Sequence, residues 1–416
     1  ALFAPTERLG LIVIDEEHDG AYKSDTSPKY HARETAIYRA KLCGASVVLG
    51  SATPSVEAYA HALNGEYQLW TLKKRAGNAI LPKTQIVDLR EEFKKGNRSI
   101  FSEELHKKIT ECLERKEQIM LFLNRRGFAG FVSCRACGQV IKCPHCDVTL
   151  TYHRNGKLRC HYCGHEEVFT KQCPICKSPH VAAFGLGTEK VEAALHQEFP
   201  AARVLRMDMD TTKRKHAHEE MLAAFAAGKA DILLGTQMIV KGHDYANVTL
   251  VGILAADLSL HEQDFRTFQL LCQAAGRAGR GEKAGNVIIQ TYSPEHYAIV
   301  AAARHSYENF FKEEYTYRKL MAYPPCAHML VILIQSGDES QSIIAMLRIE
   351  KIIQILNPGQ ASLSKLKDVY RQVLYLKHKE EERLLDLKRR LEPVLEKHPM
   401  FAGISIQFDF DPLSHY

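Results

Sequence analysis

Eight cysteines within one short stretch constrain this 416-residue chain more than any other feature of its sequence. They form four C-x-x-C pairs, which are Cys134/Cys137, Cys143/Cys146, Cys160/Cys163 and Cys173/Cys176. A C-x-x-C turn presents two thiolates to one metal ion, and Zn²⁺ takes four such ligands at tetrahedral corners. The eight cysteines therefore predict two zinc ions with every ligand position filled, which is typical of structural rather than catalytic zinc.

The spacing of the four pairs indicates how they share two ions. The gap between Cys146 and Cys160 approaches the spacing of about 15–20 residues in a zinc ribbon, whereas the other two gaps are short for facing turns. We therefore expect nested pairing, with the outer two pairs on one ion and the inner two on the other. Each site then combines one C-x-x-C-G turn with one C-P-x-C turn, which supports this arrangement. The nearby histidines are expected beside the ions or facing solvent rather than as ligands, namely His145, His153, His161 and His165.

Composition places the chain among ordinary globular proteins. Hydrophobic residues make up 45% and charged residues 25%, and the length allows two or three domains. No apolar run approaches the roughly 18 residues of a membrane span, so we expect a cytoplasmic protein without a membrane partner. Thiols stay reduced in that compartment, which favours zinc over disulfides. A formal charge of +6 suits a nucleic-acid partner but also fits many unrelated enzymes. The four isolated cysteines are expected to be small buried side chains: Cys43, Cys112, Cys272 and Cys326.

The order of apolar runs predicts two parallel sheets and a third, smaller domain. A strand at 9–14, a helix at 31–42 closed by Gly44 and a strand at 46–49 form a β-α-β unit. Strands are expected at 118–123, 201–206, 231–234, 248–254 and 286–291, with helices at 102–115, 188–198, 214–227 and 265–278. We divide the chain into 1–75, a polar linker at 76–100, a second α/β domain at 101–322 with the cysteine module inserted at 132–179, and an α+β domain at 323–416.

Four signals at the ends of predicted strands point to phosphate chemistry, although each alone is weak. Asp15-Glu16 follows the first strand, where carboxylates can hold Mg²⁺ and polarise a water molecule. The next strand ends in Gly50-Ser51-Ala52-Thr53-Pro54, an ordinary turn when taken alone. Gly235-Thr236-Gln237-Met238 precedes Lys241-Gly242-His243-Asp244, whose backbone amides could bind a phosphate. The fourth signal, Gln273 to Arg280, places Arg277 and Arg280 on one helical face, able to reach a phosphate across a cleft.

Together these signals resemble motifs II, III, V and VI of the superfamily 2 helicases. The sequence is more similar still to the replication-restart helicases within that superfamily, and this resemblance covers essentially the whole chain. It rests on further segments: Tyr30-His31-Ala32-Arg33, Leu123-Asn124-Arg125-Arg126-Gly127, Gly185-Leu186-Gly187-Thr188-Glu189-Lys190 and Phe408-Asp409-Phe410-Asp411-Pro412. The resemblance implies an α/β fold with two RecA-like parallel-sheet lobes, an inserted two-zinc ribbon module and a C-terminal α+β domain.

The resemblance also implies roles for individual residues. Asp15 would bind Mg²⁺, Glu16 would activate water, and Arg277 and Arg280 would act as finger residues. Nucleotide contacts would come from Gln273, Gly242, Asp244 and His18. Coupling and DNA-binding roles would fall to Ser51, Thr53, Thr236, Tyr22, Lys23, Tyr30 and Arg33. The segment from Tyr22 to Arg33 interleaves aromatic and basic residues, as base stacking and phosphate neutralisation require, although Tyr30 could equally be a core residue.

The expected activity is that of an ATP-dependent 3′→5′ DNA helicase, with ATP and Mg²⁺ as cofactors and single-stranded and forked DNA, primosome proteins and single-strand-binding proteins as partners. No G-x-x-x-x-G-K-[ST] loop occurs in the 416 residues. The chain also begins without a methionine, so we expect it to be a C-terminal fragment with that loop upstream, inactive in ATP hydrolysis by itself. Two alternatives stay open: a non-catalytic zinc-ribbon scaffold, and a zinc-bearing superfamily 2 translocase acting on RNA.

Overall fold

The structure is a computed structural model that describes Leu2 to Leu413 with some positions left out. The residues outside the description are 7, 25, 27, 209, 213 and 215 and the stretches 73–80, 124–131, 145–149, 153–155, 161–164, 184–186, 241–244, 261–263, 280–282, 354–358, 362–364 and 367–368. Two compact units divide the chain, with residues 1–70 and 311–416 in the first and residues 71–160 and 165–310 in the second. Among the described residues, no helix is both long and apolar enough to span a membrane.

Strands and helices alternate along most of the described chain. The strands are β1 Leu11–Ile14, β2 Ser46–Leu49, β3 Lys83–Asp88, β4 Gln118–Leu123, β5 Val132–Cys134, β6 Thr151–Tyr152, β7 Lys157–Arg159, β8 Glu166–Val168, β9 Val181–Ala183, β10 Val204–Met207, β11 Ile232–Gly235, β12 Val248–Leu254, β13 Asn286–Thr291, β14 His328–Ser336, β15 Gly359–Ala361, β16 Lys365–Leu366, β17 Val369–His378 and β18 Ser405–Phe410. The helices are α1 Ala32–Cys43, α2 Val56–Leu63, α3 Leu89–Lys94, α4 Glu103–Glu114, α5 Thr188–Glu198, α6 Ala217–Ala226, α7 Asp257–Leu260, α8 Asp264–Ala275, α9 Tyr297–Ala303, α10 Tyr307–Met321, α11 Glu339–Ile353 and α12 Glu381–Lys397. Short 3₁₀ turns lie at Gly20–Tyr22, Gln237–Ile239 and Pro399–Phe401.

The first unit begins with the predicted β-α-β arrangement. Strands β1 and β2 pair in parallel from Leu11 with Ser46 to Ile14 with Leu49, and helix α1 crosses between them. Helix α1 ends at Gly44, whose φ of 65° is left-handed and is readily adopted by glycine. The prediction of a parallel pair, made from the apolar runs and the glycine, is confirmed. Its consequence is that Asp15 and Gly50 follow neighbouring strands at the same edge of the sheet.

The C-terminal part of the first unit is an antiparallel sheet covered by two helices. Strand β14 pairs antiparallel with both β17 and β18, and helices α11 and α12 pack on the sheet. Buried side chains from both layers form its core, including Ile332, Leu374, Ile349 and Leu391. This is the α+β domain expected from the alternation of strand and helix patterns. Residues 311–322, which we expected in the preceding domain, fall instead in the first unit with it.

The second unit is built on a six-stranded parallel sheet with strand order β10-β11-β4-β12-β13-β3. Every residue of β4 and of β12 is buried, as expected for central strands covered on both faces. Helix α4 begins after Ser102, whose hydroxyl accepts a hydrogen bond from the backbone N–H of Leu105. The expected second parallel sheet is confirmed.

The polar segment that we expected to be a linker is part of this sheet. Strand β3 pairs in parallel with β13 along its full length, from Lys83 with Asn286 to Asp88 with Thr291. Helix α3 follows it directly, beginning after Asp88, whose side chain accepts from the N–H of Arg90. The linker prediction for residues 76–100 is therefore wrong for residues 83–94. Only Ile86 and Val87 of the six residues of β3 are apolar, which suits a strand at the edge of the sheet and left no apolar run to mark it in a polar stretch.

Candidate nucleotide and zinc sites

Two acidic residues lie at the carboxyl end of β1, where the strand leaves the sheet. Asp15 Oδ1 accepts a hydrogen bond of 2.9 Å from the N–H of Glu16. Glu16 has a φ of 47°, a left-handed conformation that is uncommon outside glycine and clusters at functional sites. Its side chain is 53% exposed. The arrangement suits a carboxylate that meets a ligand in solvent, and Asp15 beside it offers the oxygen ligands that Mg²⁺ prefers.

His18 connects this acidic end to the turn that follows β2. Its Nδ1 lies 2.6 Å from Ser51 Oγ and 3.5 Å from Glu16 Oε2, and the His18 side chain is only 4% exposed. Ser51 Oγ in turn accepts from the N–H of Thr53 at 3.0 Å. A change at Glu16 can therefore reach the Ser51–Thr53 turn through one buried imidazole, which suits a coupling role for these residues.

Glu17 is the buried member of the acidic run, and sequence reasoning assigned it no role. Its carboxylate accepts from Arg33 Nη1 at 3.0 Å and from both the backbone N–H and the hydroxyl of Ser55, at 2.6 and 3.0 Å. Glu17 is 2% exposed and Arg33 7% exposed. Burial by itself would lower the pKa of Arg33, but the surrounding carboxylates of Glu34, Glu57 and Glu17 raise it, so the guanidinium stays charged.

This burial changes the interpretation of Arg33. A guanidinium already paired with a buried carboxylate has no surface to offer a DNA phosphate. Of the two roles predicted for Arg33, coupling and DNA binding, the contact with Glu17 therefore suits coupling. His31, which begins α1, is also held neutral: burial and the charge of Arg33 lower its pKa to about 4, and its Nδ1 accepts from the N–H of Arg33. The signal that could have revealed the pair is the second glutamate of the Asp15-Glu16-Glu17 run.

The other aromatic and basic residues of the segment differ in exposure. Tyr30 is 38% exposed and its ring meets Phe3 edge to face, with centroids 5.5 Å apart. The core alternative for Tyr30 is thus not what the structure shows. Lys23 has a side chain that is only 9% exposed, and the Tyr22 hydroxyl donates to the backbone carbonyl of Asp15 at 2.8 Å. Tyr30 is the best placed of these residues for stacking on a base.

In the second unit, Thr236 and Gln273 each lie at the start of one predicted phosphate-binding segment. Thr236 follows β11 directly, after Gly235, where an added Cβ would lie 2.6 Å from the Met207 carbonyl oxygen. Gln273 is partly buried on the last turn of α8. Thr236 therefore occupies the carboxyl end of a parallel strand, the edge at which ligands bind in such sheets.

Arg277 lies in the turn that follows α8, and its N–H donates to the Ala274 carbonyl. Its charge acts on Tyr245, whose pKa is raised to about 12 by burial against the opposing effect of Arg277. Gly279 closes the turn with a φ of 69°, and an added Cβ would lie 2.6 Å from the backbone nitrogen of Gly285. The glycine fixes where the arginine turn ends. Five predicted site residues lie outside the described part of the chain: Gly242, Asp244, Arg280, Cys146 and Cys163.

The outer cysteine pairs come together in the second unit. The sulfur atoms of Cys134, Cys137, Cys173 and Cys176 all lie within 4.8 Å of one another. Cys134 and Cys176 sulfurs are 3.6 Å apart, and those of Cys137 and Cys173 are 3.8 Å apart. Four thiolates at the usual Zn–S bond length would be about 3.8 Å apart at tetrahedral corners. The donor set and its geometry fit zinc, in the outer pairing that the spacing favours.

The outer cysteine cluster is packed on the parallel-sheet domain. An added Cβ at Gly138, whose φ is 78°, would lie 2.9 Å from the Tyr292 carbonyl oxygen and 3.1 Å from Arg90 Cδ. On the other turn, the His180 ring meets Phe93 edge to face with centroids 5.0 Å apart. Gly138 is therefore needed for close approach as well as for its backbone conformation. Both metal-binding turns are held against the sheet domain.

The inner cysteine pairs are described only in part. Cys143 is 2% and Cys160 0% exposed, and β6, β7 and β8 form a three-stranded antiparallel sheet beside them. Of the four isolated cysteines, Cys112 is buried, but Cys43 is exposed and Cys272 and Cys326 are partly buried. The expectation of burial is wrong for Cys43, which is exposed at the last residue of α1.

We expect replacement of Cys137 by serine to lower the zinc content from two ions per chain to one. Burial raises the pKa of Cys137 to about 12, so zinc binding there must displace a proton, and a hydroxyl replaces a thiolate poorly as a ligand. Metal analysis by mass spectrometry measures the content directly, and Cys43→Ser is the matched control. Retention of two ions by Cys137→Ser would contradict the outer site.

Three family models match this chain. They are described as the PriA DNA helicase Cys-rich region domain over residues 143–167, the Helicase conserved C-terminal domain over 173–282 and the Primosomal protein N C-terminal domain over 319–413. The first covers the inner cysteine pairs, and the third covers the antiparallel sheet domain.

Curated relatives match along the whole length. The replication restart protein PriA of Bacillus subtilis is 47% identical over 425 residues, covering 99% of this chain and 53% of the relative. PriA of Synechocystis is 42% identical over 436 residues, covering 100% of this chain and 52% of the relative. PriA of Haemophilus influenzae is 38% identical over 426 residues, covering 99% of this chain and 58% of the relative. The chain thus spans about half the length of the curated relatives it matches.

These similarities run through both units and through the cysteine module, and they agree with the motifs at the strand ends. The resemblance drawn from the sequence is confirmed. The chain belongs to the PriA family of replication restart proteins.

Proposed function

We propose that this chain provides part of the motor of an ATP-dependent 3′→5′ DNA helicase that acts in replication restart. The observation that carries the proposal is the acidic end of β1, where Glu16 is exposed in a strained conformation beside Asp15. Family membership supports the restart role, because the relatives are named replication restart proteins. The 3′→5′ direction rests on the resemblance to the restart helicases alone.

The residues of the first unit would prepare the water for attack. Glu16 would accept the proton of that water, and Asp15 would hold Mg²⁺, which when bound neutralises charge on the nucleotide phosphates. His18 and the buried pair of Glu17 and Arg33 would keep the acidic end aligned with the turn after β2. Arg277 and Arg280 would act as finger residues, and Gln273, Gly242 and Asp244 would contact the nucleotide.

The remaining parts would serve DNA and assembly. Tyr30 would stack on a base and Thr236 would contact the DNA backbone, while Ser51 and Thr53 would pass hydrolysis to the rest of the motor. The zinc module would hold two structural zinc ions. Forked and D-loop DNA are the proposed substrates, with primosome and single-strand-binding proteins as partners in the cytoplasm.

A strand-displacement assay with the full-length protein tests this function. We expect ATP-dependent unwinding of DNA forks whose single-stranded arm allows translocation 3′→5′ toward the duplex. Forks of the opposite polarity and RNA forks should be unwound little. The polarity control uses the same duplex with the single-stranded arm moved to the other strand. Equal unwinding of RNA, or ATP-independent binding without unwinding, would contradict the proposal.

A further inference from the structure

A carboxylate of the C-terminal domain is buried against the basic residues of the Tyr22–Arg33 segment. Asp409, in β18, lies with Oδ1 2.8 Å from Lys23 Nζ and Oδ2 4.0 Å from Lys29 Nζ. The three side chains are 9% exposed for Lys23, 7% for Lys29 and 6% for Asp409. Charges are costly to bury unless they are paired, so this cluster holds the two chain segments together.

Lys23 joins its segment to strand β18. Its Nζ also donates to the Phe410 carbonyl oxygen at 2.7 Å, which gives it two acceptors on β18. Its backbone forms an isolated antiparallel bridge with His31, which joins the two ends of the segment. The position of Lys23 therefore sets where the whole segment lies, and Asp409 sets the position of Lys23.

The preceding residue, Tyr22, connects Lys23 to the acidic end of β1. The Tyr22 hydroxyl donates to the Asp15 backbone carbonyl at 2.8 Å, and Tyr22 closes a 3₁₀ turn that Asp19 caps through the N–H of Ala21. Two consecutive residues thus join a carboxylate of the C-terminal domain to the backbone of the proposed Mg²⁺ ligand. This connection runs wholly inside the first unit.

A second, separate attachment keeps the C-terminal domain in place. Arg318 Nη1 lies 2.6 Å from Glu57 Oε1 in α2 and donates to the Pro324 carbonyl at 2.8 Å, while its Nε lies 2.7 Å from Glu314 Oε1. Burial would lower the pKa of Arg318, but Glu57 and Glu314 raise it, so this pair stays charged. Loss of the Asp409 contact alone should therefore leave the domain docked.

We propose that Asp409 is a positioning residue for ATP hydrolysis: it holds Lys23 so that the Tyr22 hydroxyl supports the Asp15 backbone. The proposal rests on the proposed function, because it assigns the C-terminal domain a part in setting the geometry of the hydrolytic site. A merely structural ion pair would affect the stability of the fold without a specific effect on the rate of hydrolysis by folded protein.

The test is steady-state ATP hydrolysis by the full-length protein with single-stranded DNA present. Asp409→Asn keeps the shape of the side chain but removes its charge, and we expect kcat to fall about tenfold with little change in KM, since contacting residues couple on this scale. Asp409→Glu should recover part of the rate. Asp411→Asn is the matched control, because Asp411 contacts His328 and accepts from the Met329 N–H, and both lie within the C-terminal domain.

A double-mutant cycle separates positioning from folding. Lys23→Met combined with Asp409→Asn removes both members of the close ion pair, so the charge of Lys23 is not left buried without its carboxylate. We expect the double variant to be folded by thermal melting and no slower than Asp409→Asn alone. The proposal is overturned if the loss of kcat in the double variant equals the product of the losses in the two single variants. It is also overturned if Asp409→Asn, Asp411→Asn and the unchanged protein have equal kcat. An unchanged protein that fails to hydrolyse ATP would instead refute the proposed function.

Discussion

Replacement of Glu16 by glutamine in the full-length protein should lower kcat for ATP hydrolysis by about 10²- to 10⁴-fold, the usual contribution of a positioned general base. Glutamine has nearly the same shape but cannot accept the proton of the attacking water. The left-handed backbone at Glu16 tolerates either side chain to the same degree, so the fold should be unchanged. A coupled assay of phosphate release measures the rate, and fluorescence anisotropy measures DNA binding, which should persist.

Glu66 provides the matched control for this experiment. It is an exposed glutamate of the same unit that pairs with His61, so Glu66→Gln makes the same change of charge away from β1. Normal hydrolysis by Glu16→Gln would show that the catalytic site is assigned to the wrong strand end. Failure of the unchanged protein itself to hydrolyse ATP, with DNA binding intact, would favour the scaffold alternative.

Replacement of Arg277 by lysine should have an effect of similar or greater size, about 10³- to 10⁵-fold in kcat, as found for arginine fingers. Lysine keeps the positive charge, but it lacks the planar fork of donors that contacts phosphate oxygens in pairs. Arg277 lies in the turn after α8, which is closed by Gly279. The rate should therefore fall although the charge of the protein is unchanged.

Arg203→Lys is the control for this second variant. Arg203 forms an exposed ion pair with Asp231 at an edge of the same sheet, and such surface pairs contribute little to stability. Thermal melting of both variants should match that of the unchanged protein. If Arg277→Lys and Arg203→Lys both retained most of the ATPase activity, the assignment of Arg277 as a finger residue would be wrong.

Much of the fold follows from local pattern. Strands β4, β12 and β13 and helix α5 have the bounds predicted from the sequence, because runs rich in apolar residues and a helical period leave few alternatives. Strand β3 was missed for a physical reason. Only Ile86 and Val87 of its six residues are apolar, and its state as a strand depends on pairing with β13, far away along the chain.

The site residues show the same difference between local features, which the sequence predicts, and distant partners, which it does not. Asp15 and Glu16 were predicted because a strand end is a local feature, but the partner of a charged residue is not. Arg33 was assigned a possible DNA contact, and only the folded chain shows that Glu17 neutralises it. Lys23 was predicted as a DNA contact in the same way, although Asp409 buries it. A basic residue in a sequence thus predicts a negatively charged partner, but it does not identify whether that partner is a carboxylate of the protein or a phosphate of nucleic acid.

The pairing of β3 with β13 also constrains the order in which the second unit can fold. These two strands meet along six residue pairs, yet β4, the cysteine module, β10, β11 and β12 all lie between them in the chain. The edge of the sheet therefore closes only after the intervening chain has been synthesised, since distant contacts carry a large entropic cost of loop closure. The outer zinc site joins Cys134 to Cys176 within that loop, so early metal binding would shorten the effective distance that the last strand pair must bridge.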